Sequence, residues 1–270
     1  MSNKTPQIRT TELLYKDKVY SIEYFIREGK KETILFAHGL GGSKENYWEA
    51  CKTSALTEHT IISFDHPGTG NSTYYNDCTL DIDDLTAILT LFIEKLKLSN
   101  FILAGTSMGG LTTLLYLLKG GSKNVKAYIN IEGNFMPEDC MFTSKVVPHD
   151  YETFSTVVIH DMIKAMKEKG NPGYHIIANN VQLNTNIKSY HNYSFQTVEY
   201  SQSGQLLHDY TALEIPKLFI YGDENHHLSY IPHFKKHNLN IKAISKSNHF
   251  MYYDNPKEMY DVIADFVQSL

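Results

Sequence analysis

The chain has 270 residues, of which 42% are hydrophobic and 20% are charged, and this composition excludes a disordered or fibrous protein. Its 25 Lys and Arg and 30 Asp and Glu residues give a net charge of −5 and are scattered along the chain. With no basic cluster, the sequence predicts neither a nucleic-acid partner nor binding to an anionic membrane surface.

The N-terminal segment and the cysteines bear on the cellular compartment. Residues 1–18 lack the apolar core of a signal peptide, and no apolar run is long enough to span a bilayer. Cys51, Cys78 and Cys140 are widely spaced and form no Cys-x-x-Cys motif, which favours reduced thiols. We therefore expect a cytoplasmic protein.

The predicted elements begin with an antiparallel hairpin over residues 8–28, after which strands and helices alternate. Strands are predicted in ETILFAHG (32–39), HTIISFDHPG (59–68), NFILAG (100–105) and VKAYINIEG (125–133), and helices in SKENYWEACKTSAL (43–56), DIDDLTAILTLFIEKLKL (81–98) and 107–119. Such alternation indicates an α/β fold with a mostly parallel, doubly wound sheet.

The alternation stops at residues 134–212, where helical patterns are poorer and Tyr, Asn and His are frequent. It resumes with strands in IPKLFIYGD (215–223) and NLNIKAISKSNHF (238–250) and a closing helix in NPKEMYDVIADFVQSL (255–270). The sequence therefore predicts an insertion over 134–212 within a core formed by 1–133 and 213–270.

A Gly-x-Ser-x-Gly pentapeptide lies between a predicted strand and a predicted helix at residues 105–109. In this context the serine occupies a sharp turn that exposes its Oγ at the carboxyl edge of the sheet. Gly105 and Gly109 would keep Cβ atoms away from the crossing strand and helix. The N–H of Met108, at the start of the helix, would bind the oxyanion formed during acyl transfer. Ser107 is therefore the predicted nucleophile.

Five motifs, in this order, resemble those of the α/β-hydrolase fold family, and specifically its lid-bearing serine hydrolases. They are FAHGLGGS (36–43), FDHPGTGNS (64–72), GTSMGG (105–110), YGDENH (221–226) and SNHFMYYDNP (247–256). The resemblance covers nearly the whole chain outside the insertion. It implies an α/β-hydrolase core, a helical lid formed by the insertion, and catalysis through an acyl-enzyme on Ser107.

The family's order of serine, acid and histidine implies the other site residues. His249 lies between the last predicted strand and the closing helix, and is the expected base. Asp223 follows the strand LFIYG, and we expect it to accept a hydrogen bond from His249 Nδ1, which would leave Nε2 free. Glu132 is the alternative acid, because some family members use the preceding strand. The Leu40 N–H, in the HGLGG loop, is the expected second oxyanion donor.

The histidines His226, His227, His233 and His237 raise the question of a zinc site. Adjacent histidines on a loop do not converge on a metal, and no cysteine or carboxylate set joins them at ligand spacing. The glycine spacing of a nucleotide-binding loop is also missing. We therefore expect neither a metal nor another cofactor.

The distribution of arginine bears on the substrate. Arg9 and Arg27 are the chain's two arginines, and both lie in the N-terminal hairpin, so the insertion cannot supply a bidentate clamp for a carboxylate or phosphate. Its aromatic residues suit an acyl or aryl group. We expect a carboxylesterase-like serine hydrolase whose partner is a small, neutral, mostly apolar ester or thioester. A C–C or amide hydrolase and a low-turnover ligand receptor or scaffold remain alternatives, and the oligomeric state stays open.

Overall fold

One eight-stranded sheet organises the computed structural model, which describes residues 5–270. The strands are β1 (Gln7–Tyr15), β2 (Lys18–Arg27), β3 (Lys31–Ala37), β4 (His59–Phe64), β5 (Phe101–Thr106), β6 (Val125–Ile131), β7 (Lys217–Gly222) and β8 (Ile241–Ile244). Their order across the sheet is β1-β2-β4-β3-β5-β6-β7-β8. The β1–β2 and β2–β4 pairs are antiparallel and every other pair is parallel, which confirms the predicted sheet.

The helices surround this sheet and fill one long insertion. They are α1 (Ile82–Lys95), α2 (Met108–Leu118), α3 (Tyr151–Thr153), α4 (Ile159–Lys167), α5 (Pro172–Asn184), α6 (Ile187–Gln202), α7 (Gln205–Ala212), α8 (Ile231–Lys236), α9 (Met251–Asp254) and α10 (Pro256–Gln268). A π-helical turn, Phe154–Val158, joins α3 to α4. The segment predicted as a helix at 43–56 instead forms two 3₁₀ turns, Lys44–Cys51 and Ser54–Leu56.

Both faces of the sheet are covered, and this explains the unbroken apolar run of β3. Ile34 and Phe36 pack with residues of α10 on one face, whereas Leu35 and Ala37 pack with residues of α1 and α2 on the other. Because side chains alternate between faces along a strand, a sheet buried on both sides needs apolar residues at consecutive positions.

The insertion between β6 and β7 is helical, although its sequence pattern is weak. Helix α6 shows why, because its buried face is built largely from serine, threonine and tyrosine. The hydroxyls of Ser194, Thr197 and Ser201 each donate to the carbonyl four residues earlier, at 2.8, 2.7 and 2.8 Å. These side chains satisfy their polar groups within the helix, so they can be buried without producing a hydrophobic period.

The start of α2 lies directly against the end of β3. A Cβ built on Gly109 would lie 2.3 Å from the Ala37 carbonyl oxygen and 2.5 Å from that of His38. A Cβ on Gly105 would lie 2.4 Å from Thr113 Oγ1. The predicted need for glycine at 105 and 109 is therefore confirmed, and at Gly109 the neighbouring atoms belong to backbone.

Replacing Gly109 with alanine should destabilise the fold, because the new methyl group would overlap a strand carbonyl. We expect a loss of about 1–3 kcal/mol in the free energy of unfolding, the usual effect of overpacking, measured as a lower urea midpoint. Gly170→Ala is the control, since a Cβ there has no atom within 4 Å. Equal midpoints for the two variants would contradict the argument.

Candidate active site

Ser107 occupies a strained turn between β5 and α2. Its backbone angles are φ 53° and ψ −125°, and non-glycine residues seldom adopt a positive φ. Gly39 packs closely against it, since a Cβ on Gly39 would lie 2.9 Å from Ser107 Cβ. The strand, turn and helix predicted around the serine are therefore present, and Ser107 lines a cavity at the carboxyl edge of the sheet.

His249 is held by a buried carboxylate, that of Glu132. His249 Nδ1 lies 2.7 Å from Glu132 Oε2, and both residues are buried. The Gly222 N–H donates to Oε1 at 2.8 Å, and Asn225 Nδ2 donates to both oxygens at 3.0 Å. These donors compensate the carboxylate for its lost hydration. The contact with Glu132 in turn orients the imidazole and leaves Nε2 as the ring nitrogen that this carboxylate does not contact.

Asp223 does not take the position expected for it. Strand β7 ends at Gly222, and a 3₁₀ turn over Asp223–Asn225 follows at once. This turn brings Asn225 inward, onto Glu132, whereas Asp223 Oδ1 accepts from the Ser247 N–H at 3.2 Å. The expected hydrogen bond from His249 to Asp223 is therefore wrong, and the alternative carboxylate makes the contact.

The loop that contains Leu40 is shaped by its glycines and supported by a neutral histidine. The Gly42 N–H donates to the Gly39 carbonyl at 3.0 Å, and Gly41 has a φ of +72°. Burial lowers the pKa of His38 to about 4, so its ring is uncharged at neutral pH. Its Nδ1 donates to the Gly39 carbonyl at 2.8 Å, and its Nε2 accepts from the His66 N–H at 3.0 Å.

A buried lysine fixes the chain just beyond this loop. Lys44 Nζ lies 2.7 Å from Glu23 Oε1, 2.8 Å from Glu45 Oε1 and 2.9 Å from Asp65 Oδ2. Burial lowers the pKa of Lys44, but the carboxylates outweigh it, so the pKa is raised overall. Burial also raises the pKa of Asp65 to about 6, against the opposing effect of Lys44. Sequence analysis missed this cluster, whose one signal is a lysine directly after the HGLGGS motif.

The cavity brings together most of the predicted site residues. Ser107, His249, Leu40 and Met108 all line it. Met108 is the first residue of α2, so its N–H is one of the four that have no partner within the helix. The insertion also contributes lining residues, among them Asp139 and Thr143.

The insertion is hydrogen-bonded to the loops that carry the site. Asn180 Nδ2 donates to the Gly41 carbonyl at 2.7 Å, and the Tyr193 hydroxyl donates to the Pro67 carbonyl at 2.8 Å. The Tyr174 hydroxyl donates at 2.8 Å to Oδ1 of Asn248, the residue before His249. The insertion therefore contacts the loop that carries Leu40, the turn after β4 and the loop that carries His249.

These features agree with a family model. Residues 32–158 match the model described as alpha/beta hydrolase fold, and this segment contains β3 to β6 and the serine turn. The chain has the α/β-hydrolase fold. The match and the eight-stranded sheet with its helical insertion confirm the family resemblance and the predicted fold class.

Two curated relatives resemble the chain in sequence, one over a short segment and one over most of its length. Ethanol acetyltransferase 1 of Hanseniaspora uvarum is 39% identical over 90 residues, and this match covers 33% of the chain but only 26% of that protein. The chain thus spans about a quarter of the length of the first curated relatives it matches. Putative esterase/lipase 1 of Mycoplasma pneumoniae is 23% identical over 91% of the chain and 94% of its own length.

A solved structure shows the same fold at low sequence identity. A carboxylesterase of the thaumarchaeon Nitrososphaera gargenis superposes with a TM-score of 0.75 over 96% of this chain and 98% of its own, at 17% identity.

Within residues 5–270, no helix is long and apolar enough to cross a membrane. The same residues contain no group of three His, Cys, Asp or Glu side chains that could hold a metal ion.

Proposed function

We propose that this hydrolase-fold protein cleaves small esters or thioesters through an acyl-enzyme on Ser107, with His249 as base and Glu132 as acid. The observation that carries the proposal is the buried 2.7 Å contact between His249 Nδ1 and Glu132 Oε2, in a protein whose His249 and Ser107 line one cavity. A nucleophile, a base and a group that orients the base are the parts that acyl transfer needs.

The reaction has two symmetrical halves. Ser107 Oγ attacks the carbonyl carbon while its proton passes to His249 Nε2, and the N–H groups of Leu40 and Met108 bind the oxyanion. Collapse breaks the bond to the leaving group, which takes the proton from His249. Water then loses a proton to His249, attacks the acyl carbon and releases the acid, so that Ser107 regains its proton.

The insertion supports a small substrate. Residues 134–212 form a proposed lid over the nucleophile, and hydrogen bonds join this lid to the loops that carry Leu40 and His249. Phe142 and Phe250 add aromatic surface to it. The similarity to the Mycoplasma pneumoniae protein named as a putative esterase/lipase supports ester cleavage.

Ser107→Ala should remove hydrolysis of short 4-nitrophenyl esters. Loss of the nucleophile should lower kcat by about 10⁴–10⁶-fold, as in other serine hydrolases. A fluorophosphonate probe should label the wild-type protein and leave the variant unlabelled, as measured by intact mass. Undiminished turnover by Ser107→Ala, at equal thermal stability, would refute the mechanism.

Two isosteric amide substitutions separate the candidate acids. Glu132→Gln replaces the acceptor of the His249 N–H and favours the wrong tautomer, so kcat should fall by up to about 10⁴-fold. Asp223→Asn is the matched control and should change kcat less than about tenfold, because Asp223 contacts the Ser247 N–H instead. Steady-state kinetics of both variants would decide, and the reverse ranking would return the role to Asp223.

Acyl transfer to an alcohol is a second candidate function, favoured by the similarity to ethanol acetyltransferase 1 of Hanseniaspora uvarum. The two functions share the acyl-enzyme and differ in whether an alcohol or water attacks it. That match covers about a quarter of the acetyltransferase, so hydrolysis remains the first proposal.

Added ethanol should therefore compete only weakly with water for the acyl-enzyme. With 4-nitrophenyl acetate as donor, gas chromatography should find free acetate as the main product at 0.1 M ethanol, with ethyl acetate a minor one. Release of 4-nitrophenol in a reaction lacking protein is the blank. Ethyl acetate as the main product would make transfer the principal function.

A further inference from the structure

We propose that the insertion side of the cavity contains a subsite, formed by Asp139 and Thr143, for a hydrogen-bond donor on the substrate. The donor is a hydroxyl group or a protonated amine. This inference rests on the proposed acyl-enzyme function, because it assigns a ligand chemistry to residues that line the same cavity as Ser107.

The carboxylate of Asp139 is held rigidly. Its Oδ2 accepts from the N–H groups of Phe135 and Met136, each at 2.8 Å, and its Oδ1 accepts from the Tyr230 hydroxyl at 2.8 Å. Each oxygen of a carboxylate can accept two hydrogen bonds, so Oδ1 retains acceptor capacity. The carboxylate is therefore oriented by protein groups and can still bind a ligand.

No positive charge balances this carboxylate within the described part of the chain. The ion pairs formed among residues 5–270 do not include Asp139, although the residue lines the cavity. Burial raises the pKa of Asp139 to about 7, and the nearby Glu132 carboxylate adds to the rise. A cation or a hydrogen-bond donor from the substrate would supply the missing interaction.

Thr143 gives an independent indication that a ligand is missing. The residue lines the same cavity and is only 5% exposed, yet its Oγ1 has no hydrogen-bond partner among residues 5–270. Buried hydroxyls nearly always have a partner, and an unpaired one is unfavourable. A polar group of the substrate that binds beside Asp139 would pair it.

The two residues together exclude other kinds of substrate group. A carboxylate would meet the negative charges of Asp139 and Glu132 with no arginine in the insertion to offset them. A purely apolar group would leave the Thr143 hydroxyl unpaired and would desolvate Asp139 further. A hydroxyl can donate to Asp139 and accept from Thr143, whereas an ammonium group can only donate.

The test measures binding, so that it does not depend on turnover. In the Ser107→Ala background, calorimetry gives Kd for four ethyl esters that carry a methyl, hydroxyl, amino or carboxylate group at C3: 3-methylbutanoate, 3-hydroxybutanoate, 3-aminobutanoate and hemisuccinate. A second set varies the alcohol of an acetate ester: propyl, 2-hydroxyethyl and 2-aminoethyl. In at least one set, the donor-bearing esters should bind at least about tenfold tighter than their apolar analogue, as expected for one charge-assisted hydrogen bond.

Variants then test whether Asp139 and Thr143 cause the tighter binding of the donor-bearing esters. Thr143→Val should lower the ratio of the apolar ester's Kd to the hydroxyl ester's Kd to below about twofold, whereas Thr143→Ser, which retains a hydroxyl, should keep it. Asp139→Asn should reduce the preference for the amine more than that for the hydroxyl, because it removes the charge. Thr156→Val is the matched control, since that exposed threonine of the insertion donates to the Glu152 carbonyl and should change no ratio.

The outcomes separate this inference from the proposed function. Equal binding of apolar and donor-bearing esters in both sets, tighter binding of the hemisuccinate, or an unchanged ratio in Thr143→Val would overturn the subsite. Absence of ester hydrolysis by the wild-type protein would overturn the proposed function, while the Kd ratios would still decide the subsite.

Discussion

The backbone contact between the start of α2 and the end of β3 is the constraint on which the site depends. It requires a residue without a side chain at Gly109, because a Cβ there would lie 2.3 Å from the Ala37 carbonyl oxygen. This approach places the first N–H of α2 next to the loop that carries Leu40, and forces Ser107 into its unusual conformation. Packing in the sheet thus supplies the energy that holds a strained serine in place.

Three carboxylates near the site differ because their surroundings differ. Glu132 accepts from Gly222 and Asn225 as well as from His249. Asp65 is balanced by the ammonium group of Lys44. Asp139 has only neutral donors around it. The first can orient a base and the second can fix a loop, whereas the third still lacks a counterpart and is therefore the one suited to substrate recognition.

Much of the fold was predictable because a sheet buried on both faces leaves apolar runs in the sequence. The carboxylate that contacts His249 was not predictable, because Glu132 and Asp223 both follow parallel strands at the same edge, and the choice depends on the 3₁₀ turn after β7. The hydrophobic pattern of the insertion also gave little sign of its helices, since α6 buries hydroxyl groups that donate hydrogen bonds to carbonyls of the same helix. The roles of the site residues remain predictions.

The hydrogen bond from Asn180 to the Gly41 carbonyl has a mechanical consequence. The same loop would bind the oxyanion and anchor the insertion, so an outward displacement of α5 would pull on the Gly41–Gly42 peptide, close to the Leu40 N–H. We therefore expect an enzyme that is least reactive when it is most open. Small substrates, which can enter without displacing α5, would then react fastest. Selectivity by size would arise at entry, before any bond is broken.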